Sequence, residues 1–234
     1  MKLVVLDSSG LVASVAIMED DTLIGEYTIN YKKTHSQTLL PMLDEVVNMT
    51  ETDLESIDAI AIAKGPGSFT GLRIGSATAK GLGLALKKPI VSVPTVEALA
   101  YNLYESSGYI CPIMDARRNQ VYTGIYQWKD GVFTVVEDQC ARSIDETIDA
   151  INQLGEHVIF LGDGVPVFRD RIKEQATVSV SFAPAHLNRQ RAGAVGSLAM
   201  EYYRAGKIER AEDYQPEYLR KSQAEREREE RNAR

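Results

Sequence analysis

Short apolar runs of strand length alternate in this chain with longer stretches whose apolar residues recur every three or four positions, which predicts alternating strands and helices. KLVVLD at 2–7 reads as a buried strand. LVASVAIMEDDTLIGEYTI follows as two strand-like runs separated by the acidic residues 19–21. Thr34 with Gln37 has capping-box spacing at the head of a helix running to about Met49, and Pro41 inside it is expected to bend or weaken the hydrogen-bond ladder. Its apolar positions, Leu39, Leu40, Met42, Leu43, Val46, Val47 and Met49, cover more than the single stripe a core requires. A strand at 57–63, a glycine turn, a helix rich in small residues, a strand at 89–94 and a helix at 95–105 complete a unit of order βββαβαβα.

The same order restarts at YICPIMDARRNQVYTGIYQWKDGVFTVVE, where a strand again ends in an aspartate and feeds a hairpin broken at 129–131. Asp7 and Asp115 therefore take equivalent places. Helices at 144–154, 165–174 and 189–205, a strand in HVIFLGDG and a short strand at 178–182 follow. A length of 234 residues fits two similar lobes. The boundaries fall at 1–106 for the first and 107–220 for the second, whose last helices are free to pack back on the first. The tail at 221–234, KSQAEREREERNAR, is charged and without apolar periodicity; it reads as a solvated helix, as disorder or as a partner-binding extension.

The stretch AKGPGSFTGLRIGSATAKGLGLAL at 63–86 carries the most specific local pattern. Ser68 is the expected N-cap, and a glycine turn before a helix N-terminus can hold an anion. A tight strand-to-helix turn without a ligand is the alternative. GPGSFTG matches neither the P-loop nor the dinucleotide fingerprint, and Lys64 precedes the glycines. Gly71, Gly75, Ala79 and Gly83 recur every four residues along one helix face. Each interior glycine costs roughly 1 kcal/mol relative to alanine, so the stripe predicts close packing, either against a helix of this chain or another, or within the domain.

Formal net charge is −7, which argues against a broad electrostatic hold on nucleic acid by this chain alone. No apolar run approaches a membrane span and no leader is visible, so cytoplasmic residence is expected. Cys111 and Cys140 are the only cysteines, which fits a reducing compartment and no metal cluster. His35, His157 and His186 are far apart, and none has a histidine four residues away, so no metal role is expected. His35 reads as a cap-region or interface residue.

A duplicated unit with an aspartate ending each first strand resembles the actin, hexokinase and Hsp70 ATPase superfamily, in which ATP lies between two lobes. More narrowly, LDSS, HSQTLLPML, GPGSFTGLRIG, GLALKKPIVSVPTVEALA, MDARRNQVY, GDG and QPEYLR, in this order, resemble the bacterial TsaB (YeaZ) family across nearly the whole chain. The resemblance implies an α/β, two-lobed actin/hexokinase/Hsp70-like fold and a part in making threonylcarbamoyladenosine beside the tRNA anticodon. It further implies an accessory subunit without catalysis of its own, forming a homodimer alone and a heterodimer with TsaD, the homologous subunit that carries the metal and transfers the threonylcarbamoyl group. The ATPase TsaE joins them, and TsaC-type enzymes supply the adenylate. On this view tRNA is held mainly by TsaD, and ATP is a ligand of the complex rather than a cofactor this chain requires.

Asp7, Ser9, Gly65, Gly67 and Ser68 are then the expected remnant of a nucleotide or phosphate site. In the second lobe Ala116, Arg117, Arg118 and Asn119 stand where a phosphate cradle favours glycine, and they either crowd it or offer an arginine to the phosphate. The resemblance places the pairing surface on the first-lobe helices, at His35, Leu39, Leu43, Val46, Phe69, Gly71, Leu72, Ile74 and Gly75. On that reading Gly75→Leu leaves the monomer folded and abolishes pairing. The alternative function, an ATP-dependent small-molecule kinase, requires an intact two-lobe cradle and a catalytic carboxylate. A metallopeptidase, the older label of the wider family, requires paired metal ligands that the sequence lacks.

Overall fold

The computed structural model describes residues 1–220; the tail at 221–234 lies outside the described residues. Strands β1 (Lys2–Asp7), β2 (Ala13–Glu19) and β3 (Thr22–Ile29) form an antiparallel meander, and β1 also pairs in parallel with β4 (Ala59–Gly65), which pairs with β5 (Ile90–Pro94). The sheet order is β3-β2-β1-β4-β5. β1 is apolar on both faces because both are covered. One side carries α1 (His35–Met49) and α2 (Phe69–Leu86) over Val4, Leu6 and Ile62. On the other side α3 (Thr95–Tyr101) and α6 (Ala192–Arg204) lie over Leu3, Val5 and Ala61.

The second half repeats this plan. β6 (Tyr109–Asp115), β7 (Gln120–Lys129) and β8 (Val132–Ser143) form a meander, and β6 pairs in parallel with β9 (Val158–Leu161), which pairs with β10 (Val180–Phe182). Read from β8, this sheet has the strand order of the first. Helices α4 (Ile144–Asn152) and α5 (Val165–Gln175) cover one face of it. The other face meets α3, whose Val96, Leu99 and Ala100 join the second core while Ala98 joins the first. Two sheets of equal topology sharing α3 make the two-lobed actin/hexokinase/Hsp70-like fold.

The chain does not end in the second lobe. α6 returns to the first sheet, where Ala192 N donates to Ser14 Oγ at 2.8 Å and Gly193 N to Glu26 Oε1 at 2.9 Å. These first-sheet side chains satisfy the helix head, and they explain why α6 starts at Ala192 rather than at 189. Beyond α6, Glu209 exchanges two backbone bonds with Ile90, each 2.9 Å, and Ala211 and Tyr214 sink into the first core.

One local expectation fails and one open choice is decided, each for an identifiable reason. Thr34 takes an extended N-cap conformation, but its side chain caps nothing, and the box with Gln37 does not form. Ser36 Oγ donates to the Thr34 hydroxyl instead, at 3.3 Å. The small-residue stripe of α2 takes the within-domain alternative, with His35 of α1 reaching it at Gly71. A side chain at Gly71 would overlap the Ser8 carbonyl, one at Gly75 the Ser8 hydroxyl, and one at Gly83 would meet Ala211 Cβ at 2.8 Å. The stripe is small so that α2 can lie against the turn after β1 and against the returning C-terminal segment.

Candidate functional site

The ends of β1 and β6 face each other across a cleft of about 510 Å³ between the lobes, with Ser9, Gly67, Asp115, Arg117, Asp163 and Tyr218 among its walls. On the first-lobe side, Asp7 is 1% exposed and lies beneath the cleft surface. Its Oδ1 accepts from Ser9 N at 2.9 Å and from Ser9 Oγ at 2.6 Å. Burial pushes the Asp7 carboxyl above its usual range, and the two bonds from Ser9 oppose that shift. The Ser9 carbonyl accepts from Ser68 N at 2.7 Å, and Ser68 Oγ caps α2 by accepting from Gly71 N at 3.2 Å. A side chain at Gly67 would run into that Ser9 carbonyl. Gly65, at φ +116°, is roofed by the Glu217 carbonyl, so it stands outside the cleft.

The second wall is built the same way. Asp115 Oδ1 accepts from Arg117 N at 2.8 Å and Oδ2 from Arg117 Nη1 at 3.0 Å, while Asp115 N donates to Asp163 Oδ1 at 3.0 Å. Arg117, Arg118 and Asn119 occupy the left-handed region at φ 64°, 57° and 56°, a conformation costing roughly 1–2 kcal/mol for an ordinary residue. The turn is held by Gln120 N donating to the Arg117 carbonyl at 3.1 Å and Ala116 N to the Gln120 carbonyl at 2.9 Å. Asp163, at the end of β9, is half of a carboxylate pair with Asp115. Burial pushes its carboxyl up, against the bond from Asp115 N and the nearby Arg189 cation. Arg189 Nη1 donates to the Gly162 carbonyl at 3.0 Å.

The C-terminal segment closes the mouth. Glu217 N donates to the Lys64 carbonyl at 2.7 Å, and its carboxylate pairs with Lys64 Nζ at 3.1 Å. The Tyr218 ring lies 4.4 Å from Phe69, and the Arg73 guanidinium sits 4.4 Å from the Phe69 ring centre on α2. Arg220 Nη1 donates to the Ala116 carbonyl at 2.7 Å and so ties the segment to the second lobe. Gln139 of β8 makes a second inter-lobe tie, accepting from Val96 N at 3.3 Å and donating to the Gly65 carbonyl at 3.1 Å.

This arrangement does not fit a tightly held nucleotide. Phosphate cradles work by leaving backbone amides turned toward the ligand. Here the amides of Ser9, Ser68, Gly71 and Arg117 are spent on the protein's own oxygens, and the absent side chains of Gly67 and Gly65 make room for neighbouring backbone. Among the described residues, no three His, Cys, Asp or Glu side chains gather at metal-binding spacing.

Of the residues expected at a phosphate remnant, Ser9, Gly67 and Ser68 line the cleft, and Asp7 and Gly65 lie behind it. Sequence reasoning missed Asp163, Arg189, Tyr218 and Arg220. Asp163 carries a readable signal, a third aspartate closing a third apolar strand, whereas Tyr218 and Arg220 reach the cleft only through the return of the chain.

The helix residues expected at a partner surface are placed differently. Leu39, Leu43 and Val46 are buried in the first core, Leu72 is buried beside Gly65, and Gly71 and Gly75 lie against Ser8. Ile74 packs half-buried on that core, and His35 Nε2 bonds the Gly10 carbonyl at 2.9 Å. Facing outward instead are Leu40, Met49 and Leu84, exposed by 53%, 76% and 53%. Leu40, Pro41, Asp44, Val47, Leu54 and Leu82 line an apolar groove of about 440 Å³ between α1 and α2.

Residues 22–228 match the family model described as TsaD, tRNA N6-adenosine threonylcarbamoyltransferase. A Bacillus subtilis relative, tRNA threonylcarbamoyladenosine biosynthesis protein TsaB, is 34% identical over 229 residues, which cover 96% of each chain. The chain belongs to the TsaB family. The Escherichia coli protein of the same name is 28% identical, again over 96% of each chain. The solved structure of YeaZ from Pseudomonas aeruginosa superposes with a TM-score of 0.75 at 26% identity, covering 93% of this chain and 99% of that one. TsaB-family membership also gives the cleft a coherent origin. LDSS forms its first wall, GPGSFTG the head of α2, MDARRNQVY its second wall, GDG the Asp163 corner and QPEYLR the closing segment. Strings scattered over some two hundred residues of a TsaB-family chain thus meet at one place. No described helix is long and apolar enough to cross a membrane.

Proposed function

We propose that this chain is a non-catalytic accessory subunit in tRNA threonylcarbamoyladenosine biosynthesis. It pairs with a TsaD-type catalytic subunit through the outer faces of α1 and α2 and helps recruit the TsaE-type ATPase. Family membership supports the pathway, since the TsaB relatives are named for it. The accessory role rests on one observation: the two strand-end aspartates of the cleft, Asp7 and Asp115, turn inward to bond their own loops rather than standing open toward a substrate. The exposed leucines and the groove on α1 and α2 support the pairing surface, because apolar side chains left facing outward favour association. A homodimer through the same face is expected when the partner is absent.

The test is reconstitution of threonylcarbamoyl transfer to tRNA from the catalytic subunit, the ATPase and the adenylate, with and without this chain. Transfer is expected to collapse when the chain is omitted. Full-rate transfer in its absence, or transfer by this chain alone, overturns the reading.

A further inference from the structure

We propose that the face of the first lobe around the heads of α1 and α2 is a tRNA-binding surface, with Lys32, Lys33 and Arg73 meeting phosphates and the Phe69–Tyr218 pair stacking a base. This rests on the accessory-subunit reading, and it gives the subunit a direct hold on the substrate of the complex. The chain is acidic as a whole, yet Lys32, Lys33 and Arg73 are exposed beside the heads of these two helices. Tyr31, Lys32 and Lys33 are exposed in the loop that leads into α1, Tyr31 by 69%. His35 follows at the head of α1 and lies against Gly71 in the first turn of α2, so the two positive helix ends sit side by side. Neither helix carries an acidic residue in its first turn.

The second observation is the aromatic stack beside that patch. Arg73, itself exposed, covers one side of Phe69, and Tyr218 lies on the ring at 4.4 Å while remaining 38% exposed. With Phe69 already covered, the exposed part of the Tyr218 ring at the cleft mouth is the planar surface on which an unpaired base can stack. Arg117 and Arg118 stand exposed on the opposite rim, and Arg117 already pairs with Asp115. Phosphates therefore fall to the lysines and Arg73, and the acidic floor at Asp115 and Asp163 keeps the backbone at the rim. An acidic peptide would use the cations and leave the rings idle. A polyanion bearing aromatic bases uses both.

The experiment is anisotropy titration of a labelled tRNA transcript with the full chain, alone and paired with its catalytic subunit, between about 50 and 200 mM salt. The variants are the double reversal Lys32→Glu with Lys33→Glu, Arg73→Glu, and Tyr218→Leu. The lysine reversal is expected to weaken binding at least about tenfold and to lower the salt slope by about 2. Tyr218→Leu is expected to weaken binding roughly fivefold or more at unchanged slope, with thermal midpoints of the lysine variant unmoved. Normal tRNA binding by folded variants, absence of tRNA binding in both settings, or equal competition by polyglutamate overturns the proposal. The reconstituted transfer assay separates the two readings. If transfer needs the chain but the variants bind tRNA normally, only this inference falls; if transfer needs no such chain, the accessory role falls with it.

Discussion

Gly75 shows how a residue that looks like an invitation to a partner can serve the inside of its own lobe. Four-residue spacing of small side chains is what two closely packed helices require, and it is equally what a helix needs to lie on a tight turn. The space where a Gly75 side chain would stand is filled by the Ser8 hydroxyl, with Ile62 Cδ1 3.3 Å away. Gly75→Leu is therefore expected to destabilise the fold itself by about 2 kcal/mol or more, measured by urea denaturation. An unchanged midpoint together with lost pairing would restore the partner reading. Asp7 offers a second test. Its folded carboxyl is pushed up by burial, so between the unfolded and folded values the native state holds the extra proton, and stability falls as pH rises through that window. Asp7→Asn keeps an acceptor for both Ser9 bonds and removes the buried charge. It should raise stability at neutral pH and flatten the pH dependence above about 4, where the unfolded carboxyl titrates. A lower melting midpoint for Asp7→Asn at pH 7 would mean the charge itself is needed.

Strands and helices were readable almost throughout, because apolar runs bounded by glycine, proline and acidic turns mark them directly. Caps were less readable. Thr34 with Gln37 and Ser143 with Glu146 share the same spacing, yet only the second forms the reciprocal box, with Glu146 N donating to Ser143 Oγ at 3.1 Å and Ser143 N to Glu146 Oε2 at 2.8 Å. The difference is tertiary: the head of α1 is held by His35 bonding the Gly10 carbonyl, so its cap has no independent say. Ser143→Ala is expected to cost about 1 kcal/mol and Thr34→Ala less than about half of that, by chemical denaturation. The surplus apolar face of α1 was also visible in sequence, but not its direction. Leu39 and Leu43 went inward and Leu40 outward, a distinction of about 100° around the helix that depends on where the sheet lies. Leu40→Glu with Leu84→Glu should leave stability within about 0.5 kcal/mol and abolish association with the catalytic subunit, followed by light scattering. Association at wild-type strength would move the pairing surface elsewhere.

The site was legible in pieces and not as a place. Each motif string could be recognised along the chain, but their meeting at one cleft depends on a duplicated sheet and on a chain that crosses back after α6, and no local pattern announces either crossing. That return also decides what holds the molecule together. Tyr214 is 1% exposed and Ala211 7%, both in a core built mainly by residues more than a hundred positions earlier. Lys80 Nζ anchors the segment by donating to the Glu212 and Tyr214 carbonyls at 2.9 and 3.0 Å. If the segment belongs energetically to the first lobe, emptying the Tyr214 site should cost that lobe the price of a large core truncation, about 3–5 kcal/mol. Such a loss is comparable with the whole stability of a small domain, so Tyr214→Ala should strip hydrogen-exchange protection from β1, β4 and β5 well before β6 and β9, which belong to the other core. Equal loss in both sheets would mean that α3, shared between them, fuses the lobes into one cooperative unit, and that the closing segment steadies the whole cleft rather than one of its walls.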